Sequence, residues 1–164
     1  MVRDDTKSRC GTVVAVSISA SKGVKKDNVS SAELVADWGI EGDAHAGRGI
    51  RQISLLAMES IEQMRALGAE VSPGAFAENI TTAGVDLLNV RIGDRIRIGE
   101  AELIITQLGK ECHSRCAIFE AVGDCVMPRE GVFAVVERGG TIRPGDSVVL
   151  MPRVVASYSQ DDSP

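Results

Sequence analysis

Aromatic residues are scarce: Trp38, Tyr158 and three phenylalanines make up 3% of the 164 residues. So few rings provide no platform on which nucleobases could stack, and they leave the core to Val, Ile, Leu and Met. Concentrated positive charge is missing too. Eighteen basic residues against 23 acidic ones give a formal charge of -5. No cluster of Lys and Arg is broad enough to track a phosphate backbone, which argues against a nucleic-acid partner. The charged start MVRDDTKSRCG has no long apolar run behind it, so neither a secretory leader nor a membrane anchor is expected, and the expected location is cytoplasmic. The chain has no GxGxxG fingerprint, no Walker A loop and no HExxH, which removes the common dinucleotide, nucleotide-phosphate and zinc-protease classes.

What remains is ordinary for one globular domain, with 44% hydrophobic and 25% charged residues. We expect a flexible N-terminus over 1–10, a single domain over 11–155 and a flexible tail over 156–164. The β-branched run from Thr12 to Ser19 predicts a strand, the Lys-rich stretch from Gly23 to Asn28 a surface loop, and the region near Leu34 a short strand. Ile50, Ile53 and Leu55 permit another strand between Gly49 and Leu56. Ala57, Ile61, Met64 and Leu67 recur at helical spacing, with Gly68 placed to stop the helix. Past Val90, Ile92, Ile96 and Ile98 share one parity, and Leu103 to Thr106 return as a hairpin partner. Strands at Val132 to Val136 and from Ser147 flank a Gly139-Gly140 turn. Ile92-Gly93-Asp94 is echoed by Pro144-Gly145-Asp146, each a flexible turn ahead of a strand. Many short strands and two candidate helices predict a mainly β fold, a closed or nearly closed barrel with a few helices at its rim. A mixed sheet packed with two helices is the alternative.

Three groups of residues could carry chemistry. In QLGKECHSRCAIFEAVGDC, Cys116, Phe119 and Val122 recur at helical spacing and Ser114 is an N-cap candidate. Cys112 then lies just before the helix start, where free amide hydrogens and the positive helix end favour a thiolate, with Lys110 and Arg115 adding to that field and His113 next to it. The other cysteines are Cys10, Cys116 and Cys125. Without an export signal all four are expected to be free thiols, Cys10 and Cys125 as small buried hydrophobes. Pairing of Cys112 with Cys116 would instead make a redox thiol. Zinc held by Cys112, His113 and Cys116 with Cys125 or His45 is disfavoured, because the spacing is not that of a paired CxxC knuckle.

The second group is Glu41, Asp43, His45, Arg48 and Arg51 in a loop spaced by Gly42, Gly47 and Gly49, where arginine forks suit a phosphate. The bland alternative is a solvated turn with local ion pairs. The third is Glu78 and Asn79 beside Thr81, which could orient a ligand or hold neighbouring loops.

GIEGDAHAG with RQISLL, SPGAFAENIT, IGD with RIRIG, and QLGKECHSRC follow one another in order over roughly residues 12 to 152. In this the chain resembles the MOSC domain family, named for the C-terminal domain of molybdenum cofactor sulfurases, and in particular its small stand-alone bacterial members. The resemblance implies a β-barrel-like fold with a pocket near one family cysteine. Cys112 falls at that position, and Cys116 is an addition seen in some members. It further implies a molybdenum-pterin cofactor (molybdopterin), with Cys112 as carrier of a persulfide sulfur or as ligand to molybdenum. Glu78 and Asn79 would line the site, Asp43 and His45 would sit on a facing loop, and His45 or His113 would move a proton. Arg48 or Arg51 would receive the cofactor phosphate. The pyridoxal-phosphate domain that generates a persulfide in sulfurases is not recognisable in the chain, so a sulfur-donor or cofactor-biosynthesis protein is expected in trans. The alternatives are a small molybdenum-dependent reductase of N-hydroxylated compounds and a non-catalytic cofactor or oxyanion carrier. Whether the protein is an enzyme, a monomer or a homodimer stays open.

Overall fold

The computed structural model describes residues 9–109 and 125–152. Eleven strands and two short helices are found among them: β1 (Cys10–Ile18), β2 (Asp27–Val29), β3 (Ala32–Val35), β4 (Gly39–Ile40), β5 (Ile53–Ala57), α1 (Met58–Ala66), β6 (Ile80–Ala83), β7 (Arg95–Ile98), β8 (Ala101–Leu108), α2 (Met127–Glu130), β9 (Val132–Arg138), β10 (Gly140–Ile142) and β11 (Ser147–Leu150). A single 3-10 turn covers Leu87–Asn89. Around the main sheet the order runs β11-β7-β8-β9-β5-β6-β1, and β11 pairs again with β1. Seven strands thus close into a barrel, the mainly β architecture with peripheral helices expected from the sequence. β2 extends one end of β1, and β10, β3 and β4 form a separate three-stranded sheet.

Alternation fills the barrel. Ile96 and Ile98 on β7 point inward between exposed Arg95 and Arg97, and Leu103 and Ile105 do the same on β8. On β1 the inward residues are Val13 and Val16, a spacing that breaks period two. The pairing with β6 explains it: Val13 faces Thr82 and Ala15 faces Thr81, so the ladder holds one extra residue and the inward parity flips across the bulge. β5 is buried on both faces. Ile53, Leu55 and Ala57 enter the barrel core, whereas Leu56 joins an outer cluster with Ile61 and Met64 of α1, Phe76, Val126, Met127 and Phe133.

α1 has no side-chain N-cap, since Ala57 occupies that position. It is held instead by packing: Ile61 and Met64 are fully buried, worth about 1.5–3 kcal/mol each. Gly68 ends it at φ 99, with its N–H on the Arg65 carbonyl at 3.0 Å.

The tripeptide echo is a structural repeat. In both turns the aspartate Oδ2 accepts the arginine N–H three residues back at 2.8 Å (Asp94 from Arg91, Asp146 from Arg143). The glycine N–H then reaches across at 2.8 Å to Ile105 in one turn and to Val13 in the other, whose own N–H groups return to the aspartate carbonyls. Gly93 and Gly145 sit at φ 96 and 95.

Several sequence expectations need correction. The stretch from Gly23 to Asn28 is not simply a surface loop, because Lys26 is 3% exposed and β2 starts at Asp27. Ile50 and Ile92 lie outside the strands and are 57% and 66% exposed, since each precedes the point where the ladder begins. Cys10 is exposed, not buried, because it shares the outward parity of Thr12 on β1, opposite to buried Val13, while Cys125 is partly buried against the outer cluster. Gly140, expected in a turn, is already the first residue of β10, which leaves the barrel to pair with β3. The helix expected after Ser114 lies outside the described residues.

Gly93 and Gly145 each have open space where a Cβ would go, so only the backbone resists substitution. Gly93→Ala and Gly145→Ala should therefore destabilise by similar amounts, about 1 kcal/mol each, read as matching losses in urea-unfolding free energy. Gly109→Ala should cost more, because at φ 68 its Cβ would stand 2.2 Å from the Pro128 carbonyl oxygen.

Candidate functional site

The loop of residues 41–52 joins β4 to β5 and is pinned at both ends. At the first end, Asp43 is buried. Its Oδ1 accepts from the Lys26 ammonium at 2.7 Å and the Ser19 N–H at 3.1 Å, and its Oδ2 accepts from the His45 N–H at 3.0 Å. Side chains of Lys26 and Asp43 are both 0% exposed. The ammonium also donates to Ser19 Oγ at 3.1 Å and meets His45 Nδ1 at 2.9 Å, so all three of its donors are used. The His45 side chain stays 27% exposed. Burial on its own would raise the Asp43 pKa. The Lys26 ammonium at 2.7 Å and the N–H groups of Ser19 and His45 outweigh it and hold the carboxyl well below the ordinary range.

At the second end, Thr106 Oγ1 donates to the Ile50 carbonyl, and Arg51 Nε donates to Gln107 Oε1 at 2.9 Å. The Arg51 guanidinium lies over the Phe133 ring, 5.4 Å from its centroid. Gln107 in turn donates to the Gly109 carbonyl at 2.9 Å, and the Gly109 N–H is fixed on Gly131 at 2.7 Å. Gly109 is where β8 hands over to the Cys112 segment. The glycine-spaced loop thus runs from the end of β1 to the exit of β8, carrying exposed Glu41 and Arg48 between them.

Glu78 and Asn79 are fully buried, and their hydrogen bonds hold loops. Glu78 accepts from the Gly74 N–H at 2.9 Å, the Phe76 N–H at 3.1 Å and Thr81 Oγ1 at 3.0 Å. Burial raises its pKa, against the pull of these donors. Asn79 takes the Ser54 N–H at 3.0 Å on its Oδ1 and donates to the Ser17 carbonyl at 3.1 Å. It bridges β1 and β5 across the start of β6.

The structure therefore brings Asp43 and His45 together, places Arg48 and Arg51 farther along the same loop, and sets Glu78 and Asn79 in the buried frame. Lys110, Cys112, His113, Arg115 and Cys116 lie outside the described residues. Lys26 and Ser19 escaped the sequence reading. Lys26 stands beside Lys25 in a polar stretch, and its partner Asp43 is seventeen residues away, so no local pattern marked it as buried. Among the described residues no group of three or more His, Cys, Asp or Glu could hold a metal ion, and no helix is long and apolar enough to cross a membrane.

The described residues make a closed seven-strand barrel with a polar loop pinned at both ends. The chain belongs to the MOSC domain family, which matches residues 42–149. Its fold is similar to that of the YuaD protein from Bacillus subtilis, at 19% identity over 88% of this chain and 97% of that one, with a TM-score of 0.74. YiiM from Escherichia coli gives 23% identity over 88% and 71% of the two chains with a TM-score of 0.63. YiiM from Geobacillus stearothermophilus gives 22% over 91% and 77% with 0.61. Among curated proteins none matches.

Two pH dependences of opposite sign follow. The folded-state pKa of Asp43 lies below its unfolded value, so its contribution to stability is complete above about pH 5 and is lost as pH falls through the carboxylate range. Glu78 is raised, so the stability tied to its protonated form is present below its unfolded value, about 4.3, and is lost as pH rises through its folded one. Asp43→Asn should flatten the acid limb of a urea-midpoint profile, and Glu78→Gln should flatten the loss on the alkaline side. Lys26→Met strands a buried carboxylate and should destabilise by about 3–5 kcal/mol.

Proposed function

We propose that this domain binds a molybdenum-pterin cofactor at the barrel rim between the 41–52 loop and the segment that follows Gly109, and that Cys112 there carries sulfur for transfer or cofactor maturation. The observation that carries this reading is the tie from Arg51 through Gln107 to Gly109. It places one end of the polar loop at the root of the Cys112 segment. Cys112 is three residues beyond Gly109, a span that extended chain covers in about 11 Å.

The donor set suits the group. Arg48 is exposed, and His45 is partly exposed. Together with Lys110 and Arg115 from the following segment they supply cations and hydrogen-bond donors to a phosphate-bearing anion. Arg51 is engaged with Gln107 and Phe133, which suits it to fixing the loop more than to receiving a phosphate. When bound, the cofactor would supply a redox-active metal that accepts sulfur ligands.

The protein's own step is an exchange. The Cys112 thiolate attacks the terminal sulfur of a donor persulfide. One S–S bond breaks as another forms, the donor leaves as a thiolate, and no outside oxidant is consumed. Lys110 and Arg115 favour the thiolate by charge. The donor protein acts in trans.

Anaerobic native mass spectrometry of the freshly purified chain and of Cys112→Ser tests the reading. A molybdenum-pterin mass, or a gain of about 32 Da for one sulfur, should be present in the parent chain and absent from the variant. A chain that takes up neither supplied cofactor nor sulfur would contradict it. Turnover of an N-hydroxylated compound with a supplied electron donor would move the assignment to the reductase reading.

A further inference from the structure

The contact between Lys26 and His45 goes beyond holding a loop. A fully buried ammonium needs three acceptors, and Lys26 has three: Asp43 Oδ1 at 2.7 Å, His45 Nδ1 at 2.9 Å and Ser19 Oγ at 3.1 Å. Each of them is constrained to accept. Ser19 spends its own proton on the Ser21 carbonyl at 2.9 Å, so it meets Lys26 with a lone pair. Asp43, besides Lys26, accepts the Ser19 and His45 N–H groups, as an ionised carboxylate does. An ammonium has no lone pair to offer, so a proton on His45 Nδ1 would point at Lys26 hydrogens. Asp43 Oδ2 offers no escape, standing 3.7 Å from Nδ1, beyond hydrogen-bond reach.

We propose that Lys26 is a positioning residue that fixes His45 as the tautomer protonated on Nε2, making this ring a hydrogen-bond donor to an anionic oxygen of the ligand. The same assignment takes two other roles from His45. Metal ligation or proton abstraction by Nε2 needs a lone pair there, which requires the proton to move to Nδ1, and Lys26 occupies that side. The ligand class is one that presents an anionic oxygen, as a phosphate or a metal oxyanion does. This part of the inference rests on the rim site proposed above; the tautomer itself does not.

Long-range proton–nitrogen NMR on the full chain with nitrogen-15-labelled histidine separates the two. The chain has two histidines, so His113→Gln leaves only the His45 signals. At neutral pH without ligand, His45 should show a protonated Nε2 and a bare Nδ1. A protonated Nδ1, or averaged signals from two tautomers, would overturn the assignment. In Lys26→Met the ring should move to mixed tautomers; should that variant not fold, the parent spectrum still decides. Adding inorganic phosphate or molybdate should shift the Nε2–H resonance. A fixed Nε2–H tautomer that responds to neither anion would overturn the donor role and leave the tautomer assignment standing, whereas a wrong tautomer with cofactor still bound at Cys112 would overturn this inference and spare the proposed function.

Discussion

Closure of the barrel depends on one strand that pairs along both edges. β1 is nine residues long, bonds to β6 on one side and, on the other, to β11 through Cys10 to Thr12 and to β2 through Val16 to Ile18. The bulge between Val13 and Ala15 flips the parity so that Val13 and Val16 both stay inside, with Val14, 38% exposed, turned out at the bulge. Closure abolishes free edges in the main ring, so polar chemistry is pushed to the loops at its ends. The twin aspartate turns at Asp94 and Asp146 support the same ring, each feeding a strand into it and bonding across to another.

Against that rigid ring, the Lys26–Asp43 pair is an unusual way to hold a loop. A buried ion pair is weak ground for stability, since an apolar replacement of similar volume is often neutral or better. Its presence under the 41–52 loop is better explained by what it orients. The same carboxylate fixes the backbone N–H of His45, and the same ammonium fixes that residue's ring. At the far end the loop is tied to Thr106 and Gln107. A segment rich in glycine is thereby held along its length, which is the condition a binding site built on a loop must meet.

The barrel was legible where alternation is strict, as at Ile96 and Ile98, and α1 where Ile61 and Met64 recur at helical spacing. The turn echo was legible as well, because Gly-Asp before a strand is a local signal. Ile92 misled because it keeps the parity of the strand it precedes, although its neighbours already belong to the turn. Lys26 was hidden for a different reason: whether a lysine is buried depends on a partner distant in sequence, and three lysines within five residues read as solvated. Glu78 and Asn79 stood out in the sequence as a carboxylate and an amide side by side, yet sequence alone could not separate a residue that holds loops from one that faces a ligand. In the described structure both are buried and hold loops through hydrogen bonds to Gly74, Phe76, Thr81, Ser54 and Ser17.

The central claim is that Cys112 and the 41–52 loop form one site. A nitroxide attached to Cys112, in a chain with Cys10, Cys116 and Cys125 changed to Ser, tests this through paramagnetic broadening of backbone amide signals. The account predicts strong broadening at His45 and Arg48 as well as at Gln107, with Glu100 and Asp146, at the opposite end of β8, spared. Broadening confined to the exit of β8, with His45 and Arg48 unaffected, would contradict it.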